Sequence, residues 1–421
     1  MRGIEVVPSA KRLITSLRDL GYDLPQAVAD IVDNSIAAGA KTIHIDTQFN
    51  GDDSWLRVSD DGSGMSNPQL LEAMRYGSDR DYTAESDLGK FGLGMKTASL
   101  SQCQRLTVAS RSSPGKAVIG YSWDLDHIQK TNRWEILPLT DTRVISEKLQ
   151  NATGTVILWE RLDRILGYTH PYGEPQRLQL NKISREIEEH LAMVFHKFLS
   201  GQLDRPKLKI VLNSATLEAW DPYCRNQQNT TQCATSTYSI IHEGQSGVVL
   251  MEPFVLPNMD DFNTPAEHKK AAGPKKWNSQ QGFYFYRMDR MIQSGGWSGL
   301  RAKDEHIKLA RIGIRFSKEL DDAFKINVAK MRVQLPQQLK EKIEKEVQAV
   351  TKAARERYAR AGKSRRPTTP PTSSGSGSAP TPRLISVPVL TLDQWATRLL
   401  AVATPAELSA VQAALNRLKS R

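Results

Sequence analysis

Between residues 24 and 98 the chain joins a helical pattern, two short strand patterns and a second helix start through turns dense in glycine, an order that commits it to an α/β layer fold. Apolar residues recur with a helical period over 9–20 and 24–38, and strands are predicted over 42–47 and 55–59. Further strands over 106–110, 117–123 and 154–160 give at least five in one mixed sheet under the helices. The stretch 178–199 reads as a long amphipathic helix leading out of it.

A second α/β unit is expected from 207 to about 354, with strands over 207–212, 282–286 and 312–316 and a charged helix from 336. Residues 363–382, KSRRPTTPPTSSGSGSAPTP, are too poor in apolar side chains to offset ordering entropy and read as a flexible linker. The tail, 383–421, has helical periodicity from 391 to 419, broken at Thr404 and Pro405. The expected division is therefore 1–200, 201–362, linker 363–382 and a short helical tail 383–421.

No run of about 18 apolar residues occurs, and the N-terminal MRGIEVVPSAKR has no stretch suited to a signal peptide, so a cytoplasmic, membrane-free protein is expected. Cys103, Cys224 and Cys233 form no C-x-x-C pair and have no histidine at ligand spacing, which argues against zinc and a disulfide framework. The net charge is +11, and Lys340 to Arg366 holds ten Lys/Arg against four Glu, so that segment alone carries +6 of it. Such a balance suits contact with polyanions.

Three segments carry chemistry. In QAVADIVDNSIAAGA, Asp30, Asp33 and Asn34 stand at i, i+3 and i+4 and share a helix face, while Val28, Ile31, Val32 and Ser35 fall on the opposite one. The carboxylates and the amide are thus expected to face a pocket or solvent. Asn is a poor mid-helix residue, which hints that its side chain is needed. After the strand LRVSD comes Asp60-Asp61-Gly62-Ser63-Gly64-Met65. A carboxylate there only accepts hydrogen bonds, so it suits the amino group of adenine and disfavours the oxygen of guanine. The third segment, Gly89-Lys90-Phe91-Gly92-Leu93-Gly94-Met95-Lys96-Thr97-Ala98, is a glycine turn entering a helix, whose backbone N–H groups can hold phosphate. It has neither Walker A spacing nor a dinucleotide fingerprint. Each pattern alone is a common turn or solvated face; their order, with Thr153-Gly154-Thr155 heading a later strand, is what is specific.

Together these segments resemble the GHKL superfamily (gyrase, heat-shock chaperone, histidine kinase, MutL), and within it the MORC-like bacterial ATP-binding proteins, over about residues 9–165. DIVDNSIAAGA looks like the N box, DDGSGM the first glycine box, GKFGLGMKTA the second, and TGTVILWERL the Gly-Thr box. The resemblance implies a Bergerat-type α/β sandwich ATPase domain over 1–200, followed by a transducer-like α/β domain over 201–362. It implies that Asn34 ligates Mg²⁺ and that Asp60 binds adenine with Thr155 in support. Gly62, Gly64 and Met65 would shape the base site, and Gly89, Lys90, Phe91, Gly92, Leu93, Gly94 and Lys96 would close on the phosphates of ATP. Residues 76–87 would form a mobile lid. The general base, usually Glu, is here Asp30, one methylene shorter, so slow hydrolysis is expected. From the transducer, Lys330 in NVAKMRVQL would reach the γ-phosphate and report its loss.

The same resemblance implies a nucleotide-dependent homodimer. Chain length and the absence of histidine before Asn34 set aside a sensor kinase, a complete gyrase B and a large heat-shock chaperone. Two functions of different class remain. One is an ATP-gated clamp on DNA or within a DNA-processing complex, with Lys352, Arg355, Arg357, Arg360, Lys363, Arg365 and Arg366 on phosphates. The other is a chaperone-like or scaffolding ATPase acting on protein partners, in which the basic segment is only a solvated helix end and linker.

Overall fold

Asp23 starts the helix that carries the first motif. Its carboxylate accepts the Gln26 N–H at 2.9 Å, and Pro25 stands in the first turn, where a missing N–H removes no helical hydrogen bond. The computed structural model describes residues 6–19, 22–77, 94–141, 145, 147, 149, 152–167, 172–326 and 333–364. The helices at the first motifs are α1 (Ala10–Arg18), α2 (Leu24–Ala37), α3 (Asn67–Met74), α4 (Gly94–Leu100) and α5 (Leu125–Thr131).

The first sheet is built from β1 (Thr42–Gln48), β2 (Trp55–Asp60), β3 (Arg105–Arg111), β4 (Ile119–Asp124), β5 (Leu137–Pro138), β6 (Gly154–Glu160), β7 (Lys209–Leu212) and β8 (Ala215–Thr216). Their order is β5-β4-β3-β6-β2-β1-β7-β8, with β1 and β7 parallel and the other neighbours antiparallel. Ile43, Ile45, Leu56, Val58, Leu106, Val108, Ile157 and Trp159 alternate along their strands and are buried in one core with Val28, Ile31 and Val32 of α2. This is the mixed α/β architecture the sequence predicts.

Two elements depart from expectation. The strand that the sequence predicts over 207–212 at the start of the second unit forms as Lys209–Leu212 and pairs with Thr42–Ile45 of the first sheet. Ile210 is fully buried and Leu212 nearly so, and periodicity alone does not say which sheet such a strand joins. The long exit helix is likewise two, Glu174–Val194 and His196–Ser200, meeting at Phe195.

The second sheet holds β9 (Thr231–Gln232), β10 (Ser236–His242), β11 (Gln245–Val255), β12 (Gly282–Arg287), β13 (Arg290–Ser294) and β14 (Ala310–Phe316). Its order is β10-β11-β14-β12-β13, with β9 beside β11. Phe283, Tyr284, Phe285 and Tyr286 are all buried, so both faces of β12 are covered. The helix Gln337–Ser364 turns Leu339, Ile343, Val347, Val350 and Ala354 inward, a stripe of helical spacing. It runs through the first two residues of the expected linker; 365–382 and the tail 383–421 lie outside the described residues. Both sheets belong to one compact unit, residues 1–366. Among the described residues no helix is long and apolar enough to cross a membrane.

Candidate nucleotide site

Strand period fixes Asp60. It follows Leu56 and Val58 on the face of β2 that α2 covers, so its side chain enters the core at the strand end, only 9% exposed. Oδ1 accepts the Gly62 N–H at 2.9 Å and Oδ2 accepts the Ser35 hydroxyl at 2.8 Å. Burial pushes this carboxyl above the usual range, while the Gly62 amide, the Ser35 hydroxyl and the Thr155 amide pull it back. A carboxylate has about four lone-pair sites, so these three donors leave room for one more, such as an exocyclic amino group.

Thr155 lies opposite Asp60 across the β2–β6 pair. Its Oγ1 is 3.0 Å from Ser110 Oγ, and Ser110 Oγ also accepts the Met65 N–H at 2.8 Å. The turn after β2 is thereby tied to β3 and β6. The glycines are required by close approach: a Cβ on Gly62 would stand 2.9 Å from Ala38 Cβ and from Asp60 Oδ1. Gly64 has φ +64°, and a Cβ there would come within 1.9 Å of the Arg111 carbonyl oxygen. Gly64→Ala is expected to destabilise the fold by at least about 2 kcal/mol, read as a lower urea midpoint; an unchanged midpoint would mean that the turn opens freely.

On α2 the expectation holds for one residue and fails for two. Asn34 is exposed in the last turn of α2, and among the described residues its amide makes no side-chain hydrogen bond. Asp30 and Asp33 are 4% and 1% exposed. They turn away from solvent and lie beside Arg290 of β13, itself 1% exposed, whose Nε lies 2.8 Å from both Asp33 Oδ1 and Oδ2. Arg290 Nη2 is 3.5 Å from Asp30 Oδ1, and Gln26 Nε2 donates to the same oxygen at 3.3 Å. Two carboxylates stay buried because a buried cation pairs with them. A Cβ placed on Gly94 would stand 3.7 Å from Asp30 Oδ2, so the start of α4 adjoins this carboxylate.

Lys96 stands apart from these groups. It is 3% exposed, its Nζ donates to the Ala73 carbonyl at 2.8 Å, and burial lowers its pKa to about 8. Gly89, Lys90, Phe91, Gly92, Leu93 and Lys330 lie outside the described residues. Three contributors escape sequence reasoning. Ser35 falls on the apolar face of the helical wheel, where a hydroxyl among Val and Ile is the signal. Ser110 ends a strand as an ordinary polar residue would, and Arg290 sits in a hairpin with no motif at all.

Residues 22–155 match the family described as histidine kinase-, DNA gyrase B-, and HSP90-like ATPase. The chain carries a GHKL-type ATPase domain. The match encloses the candidate positions from Asp30 to Thr155 and ends short of Lys330. Protein MICRORCHIDIA 5 of Arabidopsis thaliana is 27% identical over 179 residues, which cover 38% of this chain and 25% of the plant protein. ATPase morc-1 of Caenorhabditis elegans is 28% identical over 85 residues, 20% of this chain and 10% of the nematode protein. The chain thus spans a quarter or less of the length of these relatives, and the likeness is to MORC proteins.

The donor set fits an adenine nucleotide with magnesium. Asp60 and Thr155 would take the base, the close-packed Gly62 and Gly64 hold the turn beside them, and Asn34 offers a side-chain amide oxygen that accepts no hydrogen bond among the described residues. Among the described residues no group of three His, Cys, Asp or Glu could hold a metal by itself. A Mg²⁺ here would therefore rest on Asn34, the nucleotide phosphates and water, the usual pattern for this ion.

Proposed function

We propose that the chain binds ATP with Mg²⁺ in this site, hydrolyses it slowly, and uses nucleotide-driven lid closure and pairing of two chains to act on DNA or a DNA-processing complex; the lid expected over 76–87 lies, from 78 on, outside the described residues. The observation that carries the nucleotide reading is the meeting of Asp60, Thr155 and the Gly62–Gly64 turn beneath the same helix that presents Asn34 and Asp30. When bound, the magnesium ion supplies charge neutralisation for the phosphates. Asp60 orients the base, and the Ser35 and Gly62 donors hold that carboxylate in place. In this reading Asp30 takes the proton of the attacking water, and the nearness of its Oδ2 to the start of α4 supports that assignment. A general base contributes about 10²–10⁴-fold. Asp30→Ala is therefore expected to cut turnover by about that factor with nucleotide affinity retained, whereas Asn34→Ala should abolish turnover. An Asp30→Ala chain with an unchanged rate would remove Asp30 as the base.

Lys330 is proposed as the residue that senses the γ-phosphate, and Lys330→Ala should weaken ATP-dependent closure more than nucleotide binding. Equal loss of both would contradict that role.

Charge supports the DNA reading, with one revision. Arg357 donates to the carbonyls of Asn229, Val255 and Leu256 at 2.7, 2.8 and 3.2 Å, so it anchors the helix Gln337–Ser364 and does not reach for phosphate. Arg355 pairs with Asp304 at 2.8 Å at the surface. Lys352 and Arg360 are exposed. Retention of the chain on duplex DNA should rise with a non-hydrolysable ATP analogue and fall at least about tenfold between 50 and 200 mM salt. No retention at low salt would favour a protein partner instead. Light scattering without nucleotide, with ADP and with the analogue tests the pairing of chains.

A further inference from the structure

Arg290 occupies a fixed place. The β12–β13 hairpin turns through Met288 and Asp289, both at positive φ (47° and 66°), and pairs Arg287 with Arg290 at its end. Arg287 pairs with Asp321, Nε to Oδ1 and Oδ2 at 2.8 and 2.9 Å, which ties down the turn end of the hairpin. Arg290 then projects into α2. Its guanidinium lies 5.6 Å from the Phe195 ring centroid, and Nη2 has no hydrogen-bond partner among the described residues, with Asp30 Oδ1 at 3.5 Å.

A planar guanidinium spans two carboxylates, which a single ammonium does not. Asp33 receives Nε and Asp30 faces Nη2, so one cation lies against both acids. Without it, two carboxylates one helical turn apart in a buried site repel. His190 of the helix Glu174–Val194 also feels Arg290, and burial first, then Arg290 and Lys275, lower its pKa to about 3, leaving it neutral. Tyr22 borders Asp30, and burial, then Asp30, keep its phenol protonated.

We propose that Arg290 is a positioning residue for hydrolysis: reaching from the second sheet, it fixes Asp33 and places Asp30, so that turnover in the GHKL domain requires the β12–β13 hairpin docked on α2. This rests on the reading of Asp30 as the base. The competing account is that Arg290 merely neutralises Asp33, and a double variant separates the two. Asp33→Asn with Arg290→Gln removes both charges together while keeping polar groups of similar shape.

The full chain, Arg290→Lys, Arg290→Gln and the double variant are compared by three measurements. These are affinity for a non-hydrolysable ATP analogue by calorimetry, single-turnover ATP cleavage, and amide exchange over residues 24–37. The double variant is expected to bind the analogue within about threefold of the unaltered chain and to cleave ATP at least about tenfold more slowly. Arg290→Lys should lie between, and amides of the second turn of α2 should exchange faster in Arg290→Gln before any nucleotide is added. A double variant with unaltered turnover overturns the proposal, as do unchanged α2 exchange or equal losses of affinity and turnover in the Lys and double variants. Failure of the nucleotide reading looks different: the unaltered chain gives no heat with the analogue. An unaltered chain that binds the analogue yet never cleaves ATP removes both the base assignment and the role of Arg290.

Discussion

Asp60→Asn is expected to weaken ATP binding by about ten- to hundredfold while leaving the fold intact. The amide is isosteric, so its oxygen can keep one of the contacts from Gly62 N–H and Ser35 Oγ. Its other terminus, however, becomes a donor where the base needs an acceptor. Losing a hydrogen bond to a charged group costs about 1.5–3 kcal/mol, which gives that range of affinity. Discrimination against GTP should shrink with it, because a site built around hydrogen bonding loses most of its selectivity when the partner group is inverted. Calorimetry with both nucleotides decides the matter: unchanged ATP affinity would mean that adenine does not sit on Asp60.

The second large effect is on stability. Asp33→Ala leaves Arg290, 1% exposed, without its closest partner, and breaking one side of a buried pair costs about 3–5 kcal/mol. Adding Arg290→Met should recover much of the loss, since an apolar pair of similar volume no longer carries a buried charge. Urea unfolding of the three chains measures this. The surface pair Arg164–Asp19, with side chains 47% and 58% exposed, is the control, and its removal should cost about 1 kcal/mol or less. Equal effects at both pairs would show that the Asp33 site is open to water.

The helices and strands around the nucleotide residues were legible because each has a strong period and a glycine or a cap at its end. Asp23 before α2, LRVSD running into glycine, and GTVILWE after Thr153 are signals of that kind. The second sheet was less legible. β10 and β11 form a hairpin through Glu243 and Gly244, both at positive φ, but STYSIIH alternates polar and apolar residues too weakly to stand out. Burial of Asp30 and Asp33 was illegible for another reason. A helical wheel places residues on faces, yet only a contact 257 positions away in sequence, Arg290 with Asp33, decides what covers them. The same limit hid Ser35, whose hydroxyl reaches Asp60 across 25 positions.

Strand β7 carries a practical consequence for dissecting the protein. Because it returns after the two exit helices to lie along β1, a fragment ended at residue 200 would uncover the backbone of Thr42–Ile45 and the seat of Ile210 and Leu212. Such a stub would present a raw sheet edge, a ready template for self-association. An excised catalytic piece that stays monodisperse must therefore run past the β7–β8 turn, to at least residue 217.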